Sequence, residues 1–293
     1  MNLTFTVLEI VAPVFLLAVI GFIWIKLGFE YNVQFVTRLA MSLSVPCLIF
    51  VSLMKTEITP NELAILLLAS FVTYGIITVF SWFIIRGMRL DSKTYLAPII
   101  FGNTGNLGLP LSFFAFGQEG LGYAVVVFAV MAILSFTYGI WLVTGGGSVL
   151  KILKEPLIGA TFLGVLFLWR GWETPTFLTH TLELLGQIAI PVMLLTLGVT
   201  IGRLVPRTVG RAIILSILKA IVCALTAAAI GMWFNLNSIA LGVLIVQMTT
   251  PVAVTSYLIA EKYNANANDV ASLVIASTAL SVFVLPLILI FVI

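Results

Sequence analysis

Apolar residues run along this chain in blocks of about 20, and short polar clusters cut the blocks apart. A block of that length matches a helix that crosses the hydrocarbon core of a bilayer. Cutting at the polar clusters predicts ten spans, at roughly 7–27, 34–54, 62–86, 94–117, 121–143, 154–170, 178–200, 209–230, 238–261 and 269–292. In lipid every backbone polar group must be satisfied within its own helix, so the expected fold is all-α and polytopic. The loops between spans are short, which leaves no room for a soluble domain or a large central insertion. The most flexible joint, TGGGS at Thr144 to Ser148, falls at the midpoint.

One block contradicts its own pattern. LAPIIFGNTGNLGLPLSFFAFG, Leu96 to Gly117, is long and apolar enough to span, yet its middle holds Asn103, Asn106, three glycines and Pro110. Proline inside a helix removes an N–H and clashes with the preceding turn. Irregular backbone at membrane depth is tolerated only where it is buried in protein or lines a polar cavity. The expectation is therefore a helix interrupted at Asn103–Pro110. Gly102, Gly105 and Gly108 would permit an extended or left-handed backbone, Asn103, Thr104 and Asn106 would satisfy the freed backbone groups, and Pro110 would start a new half-helix. The ninth block repeats the pattern: Gln247, Thr249 and Thr250 precede Pro251. The spacing GNTGNLG is not a dinucleotide loop, because no strand precedes it and it lies inside an apolar span.

Other prolines recur in the same order. Pro13 and Pro156 each stand eight residues before a glycine, and Pro46 and Pro191 centre the second and seventh blocks. Five spans per half is an odd number, so the second half must enter the membrane the other way round. The predicted domains are a first five-helix repeat over residues 1–145 and a second, inverted one over 146–293. Inverted repeats with interrupted helices in corresponding positions are typical of secondary transporters. Half-helix N-termini at the midplane would present free N–H groups to an anion.

Charge fixes an orientation. Only 9% of residues are charged, against roughly 25% in soluble domains, and mean hydropathy is +1.23. With the N-terminus outside, the inner loops hold Lys26, Arg38, Arg86, Arg89, Lys93, Lys151, Lys154, Arg203, Arg207, Arg211 and Lys262, while the outer loops hold Lys55 and Arg170. This bias predicts ten spans in the cell membrane with both termini on the non-cytoplasmic side. No basic residue precedes Lys26, so the first span is expected to be retained, not cleaved as a signal peptide. Trp24, Trp82, Trp141, Trp169, Trp172 and Trp233 mostly fall at span ends, as an interfacial belt does.

Lys219 is the one basic residue well inside a span. It either attracts an anion, acts as a coupling charge, or snorkels to the inner interface. Glu9, Glu183 and Glu261 sit near span ends, where water reaches them, and no carboxylate adjoins either break. Cys47 and Cys223 read as small packing residues. The lone His180 lies near a loop, and no nucleophile–base or Cys/His cluster points to an enzyme, a metal or a cofactor.

The NTGNLGLPL stretch resembles the auxin efflux carrier family, which includes the plant PIN carriers and bacterial carriers assigned to malate, malonate and similar acids. The matching residues are Asn103, Thr104, Gly108 and Pro110, with the Asn seven residues before the Pro. The resemblance implies a fold like the bile-acid symporters and sodium/proton antiporters. Spans one, two, six and seven would form a scaffold, leaving room for a homodimer through those helices. Spans three to five and eight to ten would form a transport domain, with crossed helices four and nine, that moves like an elevator. It also implies that Asn103 contacts the substrate carboxylate, with Thr104, Asn106, Pro110, Gln247, Thr249, Thr250, Pro251 and Lys219 as further candidates. Plant members often have a long central loop; here only GGGSVLKILKE stands there, which puts plant-style auxin transport and its phosphorylation control in doubt. The expected partners are a small organic anion and the bilayer, with no nucleic acid. Alternatives are a cation-coupled symporter or antiporter on the same fold, and a membrane sensor that binds a ligand without moving it.

Overall fold

The computed structural model describes residues 3–144 and 156–293; the Gly-rich joint, Lys151 and Lys154 lie outside the described residues. Among the described residues the fold is all helix, with one isolated two-residue bridge and no strand. The helices are α1 (Leu3–Lys26), α2 (Val33–Leu39), α3 (Val45–Lys55), α4 (Pro60–Gly87), α5 (Ser92–Ile100), α6 (Leu109–Leu134) and α7 (Ile140–Thr144) in the first half. The second half has α8 (Pro156–Arg170), α9 (Thr176–Gln187), α10 (Ala189–Arg203), α11 (Val209–Trp233), α12 (Ser238–Thr249), α13 (Val254–Lys262) and α14 (Ala267–Val292). Among them, seven helical stretches are long and apolar enough to cross a membrane.

The polar clusters that cut the apolar blocks supply the helix caps. Thr59 caps α4 in a reciprocal box with Glu62, whose N–H donates to the Thr59 hydroxyl at 3.3 Å while the Thr59 N–H donates to the Glu62 carboxylate at 3.0 Å. Asp91, Asn237 and Asn266 cap α5, α12 and α14 by accepting backbone N–H groups of the first turn, without the reciprocal bond. The stretch Thr104–Thr144 counts 41 residues, which as one straight helix would extend about 60 Å, twice the bilayer core. Gly117 divides it, with φ 66° and ψ −152°, a conformation closed to other residues. In the second block a π-helical turn, Ala40–Ser44, precedes Pro46, and in the seventh Ile188, still in helical conformation, joins α9 to α10 ahead of Pro191.

Close helix contacts are made through glycine. α1 lies along α10, where a Cβ on Gly198 would strike the Ala18 backbone and one on Gly21 would strike the Leu195 backbone. α3 packs on α8, with Gly164 against Leu53, and on α9, with Gly186 against the Leu48 backbone. Small residues at such crossings let backbones approach and gain dispersion energy, which lipid does not supply through hydrophobic contrast.

α4, α6, α11 and α14 gather around α12, which is buried on most of its surface. Two polar clusters tie their ends. At one end Asn237 donates to the Tyr123 hydroxyl at 2.7 Å and to Glu62 at 3.2 Å, joining α12, α6 and α4. At the other, Tyr95 donates to Asp269 at 2.7 Å and accepts from Arg211 at 3.2 Å, joining α5, α14 and α11. Thr208 and Asn266 also donate to Asp269, at 2.8 and 2.9 Å. These links had no forecast in the sequence.

The glycine contacts generate a paired test. Gly198→Leu places side-chain atoms against backbone that cannot rotate aside, so its cost should exceed the ~1–3 kcal/mol of ordinary overpacking. Gly75, inside α4, has no neighbour within 4 Å of a built Cβ. Gly75→Ala should therefore hold or raise the melting temperature, by up to about 1 kcal/mol in stability. Thermal unfolding of purified protein checks both.

Candidate functional site

The two interruptions meet. α5 ends at Ile100 and α12 at Thr249, and the extended residues after them pair across the gap as a Gly102–Val252 antiparallel bridge. The Asn103 N–H donates to the Pro251 carbonyl at 2.7 Å, and the Ala253 N–H donates to the Phe101 carbonyl at 3.4 Å. The Val252 N–H donates to the Ser277 hydroxyl of α14 at 3.0 Å. Each break thus supplies partners for backbone groups that the other leaves free. In a low-dielectric interior an unsatisfied group of this kind costs several kcal/mol.

This arrangement corrects the sequence expectation in three ways. The first break is Phe101–Asn103, not Asn103–Pro110, because Thr104–Gly108 winds at once into a π-helical turn that continues into α6. The second break is Thr250–Ala253; Thr249 is still the last residue of α12. Gly105 and Gly108 are neither extended nor left-handed. They are required for approach: a Cβ on Gly105 would meet the Phe128 ring at 2.9 Å, and one on Gly108 would overlap the Gln247 amide. Gly102 does lie in the extended stretch, and a Cβ there would overlap the Thr250 hydroxyl. Pro110 sits in the first turn of α6, where its missing N–H leaves no gap.

The Asn103 side chain does not satisfy the freed backbone either. Its carbonyl backbone oxygen accepts from Leu107 and Gly108, at 3.2 and 3.1 Å, but its side chain makes no capping bond. Asn103 Nδ2 is buried without a partner, and so are Thr104 Oγ1 and Gln247 Oε1. Gln247 is held from its other end, where Nε2 donates to Ser112 at 3.4 Å. Asn106 is half-buried in the same turn. Thr249 and Thr250 are buried, but their hydroxyls donate to helix carbonyls, to Ile245 and Gln247 respectively, both at 2.7 Å. The crossing therefore brings together Asn103, Thr104 and Gln247 as polar atoms with unused capacity, and leaves Thr249, Thr250, Pro110 and Pro251 as its frame. The opening N–H groups of the turn at Thr104 and of α13, which follow the two breaks, have no partner within their own helices. What this geometry can do is accept an oxygen-rich anion by donation from an amide, a hydroxyl and backbone N–H groups.

Lys219 does not snorkel. It is 3% exposed on α11 and lines a small pocket with Thr249, Thr250 and Pro251, at the second break. His180 is exposed on α9, and Glu183 forms an ion pair with Lys55, the one ion pair among the described residues. That pair borders a larger cavity of about 510 Å³ between α3, α9 and the Gly117 turn, which also carries Glu57 and Glu119. Its acidic groups outnumber its one lysine, so it is a poor seat for an anion. Cys47 and Cys223 are buried and free.

Ser112, Ser216, Ser277 and Ser281 also belong to the crossing or its surroundings and were not singled out from the sequence. The available signal was a set of single hydroxyls inside otherwise apolar spans.

Comparison with known proteins agrees with this architecture. The model of the membrane transport protein family matches residues 6–152 and 145–289. An uncharacterized transporter of Methanothermobacter thermautotrophicus is 27% identical over 95% of this chain and 96% of its own. An uncharacterized transporter of Methanocaldococcus jannaschii is 24% identical over 96% of this chain and 97% of its own. A Rhizobium meliloti protein named "Putative malonate transporter" is 22% identical over 82% of this chain and 81% of its own. Matched along nearly its whole length, this multi-span membrane protein belongs to the membrane transport protein family, that of the auxin efflux carriers.

Proposed function

We propose that this protein is a secondary carrier of a small organic anion, a carboxylate such as malate, malonate or an auxin-like acid, bound where the two broken helices cross. The observation that carries the reading is the set of buried polar atoms without partners at that crossing: Asn103 Nδ2, Thr104 Oγ1 and Gln247 Oε1. Buried side-chain groups are nearly always paired in native structures, so three that are not, on facing segments, call for a ligand. Asn103 is the central donor, and its amide would bind one carboxylate oxygen with help from the N–H groups opening the Thr104 turn. Gln247 Oε1 is an acceptor as placed; a reversal of its amide would turn a donor toward the anion. The name of the Rhizobium meliloti relative points to the same substrate class.

The same reading takes the chain as two inverted repeats of five spans in the cell membrane, with both termini outside. The pairings support it. α1 with α10 and α8 with α3 are the same pair under exchange of repeats, spans one and seven against six and two. The cluster of Glu62, Tyr123 and Asn237 joins spans three, five and nine, and that of Arg211, Asp269 and Tyr95 joins spans eight, ten and four. These are again one arrangement seen from opposite faces. The α1, α2–α3, α8 and α9–α10 group would be the scaffold and dimer surface. The six spans tied by the two clusters would be the body that moves past it, carrying the crossing between the two sides. In this conformation Asn103 and Gln247 are 5% and 0% exposed, so the site is closed to both.

Two outcomes follow. Cysteines placed at Asn61, Gln118 and Asn235 should react with a membrane-impermeant reagent from outside, and those at Arg89 and Arg207 should not; the reverse pattern removes the orientation. Asn103→Ala should remove one charge-assisted hydrogen bond, worth roughly 1.5–3 kcal/mol, and lower substrate affinity by about one to two orders of magnitude. Thr249→Val should change affinity little, because its hydroxyl is already committed to Ile245. Binding of organic acids to purified protein, followed by flux in liposomes, measures both variants. Wild-type affinity in folded Asn103→Ala would place the anion elsewhere.

A further inference from the structure

A groove of about 540 Å³ opens between α1 and α14. It runs along residues 5–19 of α1, faces Val282, Pro286 and Ile290 of α14, and is lined by apolar side chains throughout. Both helices are long and apolar enough to cross a membrane, so hydrocarbon is what meets the groove. One charge stands at its edge. Glu9 is exposed on α1, about 9 Å along the helix from Leu3. It lies in one row with Phe5, Ala12 and Leu16, which line the groove, because residues three and four apart share a helix face. The Glu9 carboxylate has no hydrogen bond or ion pair among the described residues. Pro13 has no N–H to give, so the Glu9 backbone carbonyl also lacks its helical partner. A carboxylate alone beside hydrocarbon is expensive, and such groups are nearly always paired. From Glu9 to Val19 the groove measures about 15 Å, half of a hydrocarbon core roughly 30 Å thick. That is the depth of one lipid leaflet.

We propose that the groove is a site for one phospholipid with an ammonium headgroup, of the phosphatidylethanolamine type. One acyl chain lies between α1 and α14, and the ammonium donates to the carboxylate and the backbone carbonyl of Glu9. An ammonium has three N–H donors, which two acceptors on one residue suit. A headgroup of net negative charge would meet the like charge of Glu9. A second copy of the chain is a poorer occupant, because a two-fold contact over this groove would bring two Glu9 side chains together. The acyl chain would also lie at the boundary between the scaffold and the moving body; that consequence rests on the carrier reading given above, and the lipid site does not.

The full chain in nanodiscs tests it, with phosphatidylethanolamine and phosphatidylglycerol in equal amounts and with the same acyl chains. Native mass spectrometry weighs the lipid that stays with each protomer on release. The wild type should hold one lipid and prefer phosphatidylethanolamine about fivefold, the effect of one ion pair at an exposed site. Glu9→Gln should keep the lipid and lose the preference. Ala12→Trp, which fills the groove, should lose the lipid. A phosphatidylethanolamine with a photoreactive group on its acyl chain keeps the test decisive where Ala12→Trp fails to fold: its label on the wild type should fall within residues 5–19 and 282–290. Equal retention of the two lipids by the wild type, a preference that survives Glu9→Gln, a lipid that survives Ala12→Trp, or label elsewhere overturns the proposal. So does a dimer that Ala12→Trp converts to monomer, which would make the groove an interface between copies. Malonate flux in liposomes should change with phosphatidylethanolamine content in the wild type and not in Glu9→Gln; an equal response in both overturns the role at the boundary. If the wild type carries no organic acid, the carrier reading fails, and lipid retention and labelling still decide the site.

Discussion

Everything near the centre of this protein depends on two interrupted helices satisfying one another's backbone. Breaking a helix inside a membrane frees N–H and C=O groups that neither lipid nor apolar side chains can match. Here the Gly102–Val252 bridge, with the Asn103-to-Pro251 bond beside it, returns those groups to a hydrogen-bonded state. The glycines follow from that requirement. Gly102 and Gly108 bring the two segments close enough to pair, and larger residues would collide with Thr250 and Gln247. Because the backbone is satisfied internally, the side chains of Asn103 and Thr104 are left free for something else. A broken helix capped by its own asparagine would have no such surplus.

The rest of the fold holds that crossing in place. Hydrogen-bonded clusters at opposite ends fasten α4, α6 and α12, and α5, α11 and α14, around it. By contrast, α1 and α10 meet through glycines packed on backbone, and α3 and α8 through Gly164 packed on the Leu53 side chain, contacts that depend on shape more than on polar bonds. The difference in glue fits the two bodies proposed here: one bound by polar links around a ligand site, the other a close-packed wall.

Much of this was legible in the sequence. Block length forecast an all-helical membrane protein, because length and apolarity are what a bilayer demands, and seven helical stretches among the described residues meet that demand. The polar clusters between blocks marked the ends, and the structure finds the capping residues Thr59, Asp91, Asn237 and Asn266 in them. The two breaks were visible as glycine, asparagine and proline inside one apolar block and as glutamine, threonine and proline inside another. Their register was not. Pro110 drew attention to itself, but a proline in a first turn starts a helix, and the true break lay several residues earlier, where Gly102 reaches Val252 in the other half. Nor could the sequence show that the freed backbone finds its partner about 150 residues away instead of in Asn103's own amide. Lys219 was flagged as a buried charge, but its hydroxyl-lined pocket draws on α11, α12 and α14 together and appears only once they pack.

The central claim is that the crossing, and not the acidic cavity at Lys55, holds the transported carboxylate. An experimental structure of the protein with malonate bound addresses it most directly. The account predicts a carboxylate oxygen within about 2.7–3.2 Å of Asn103 Nδ2, between the Thr104 turn and Gln247. Malonate found in the cavity between α3, α9 and the Gly117 turn, with Asn103 untouched, would contradict it.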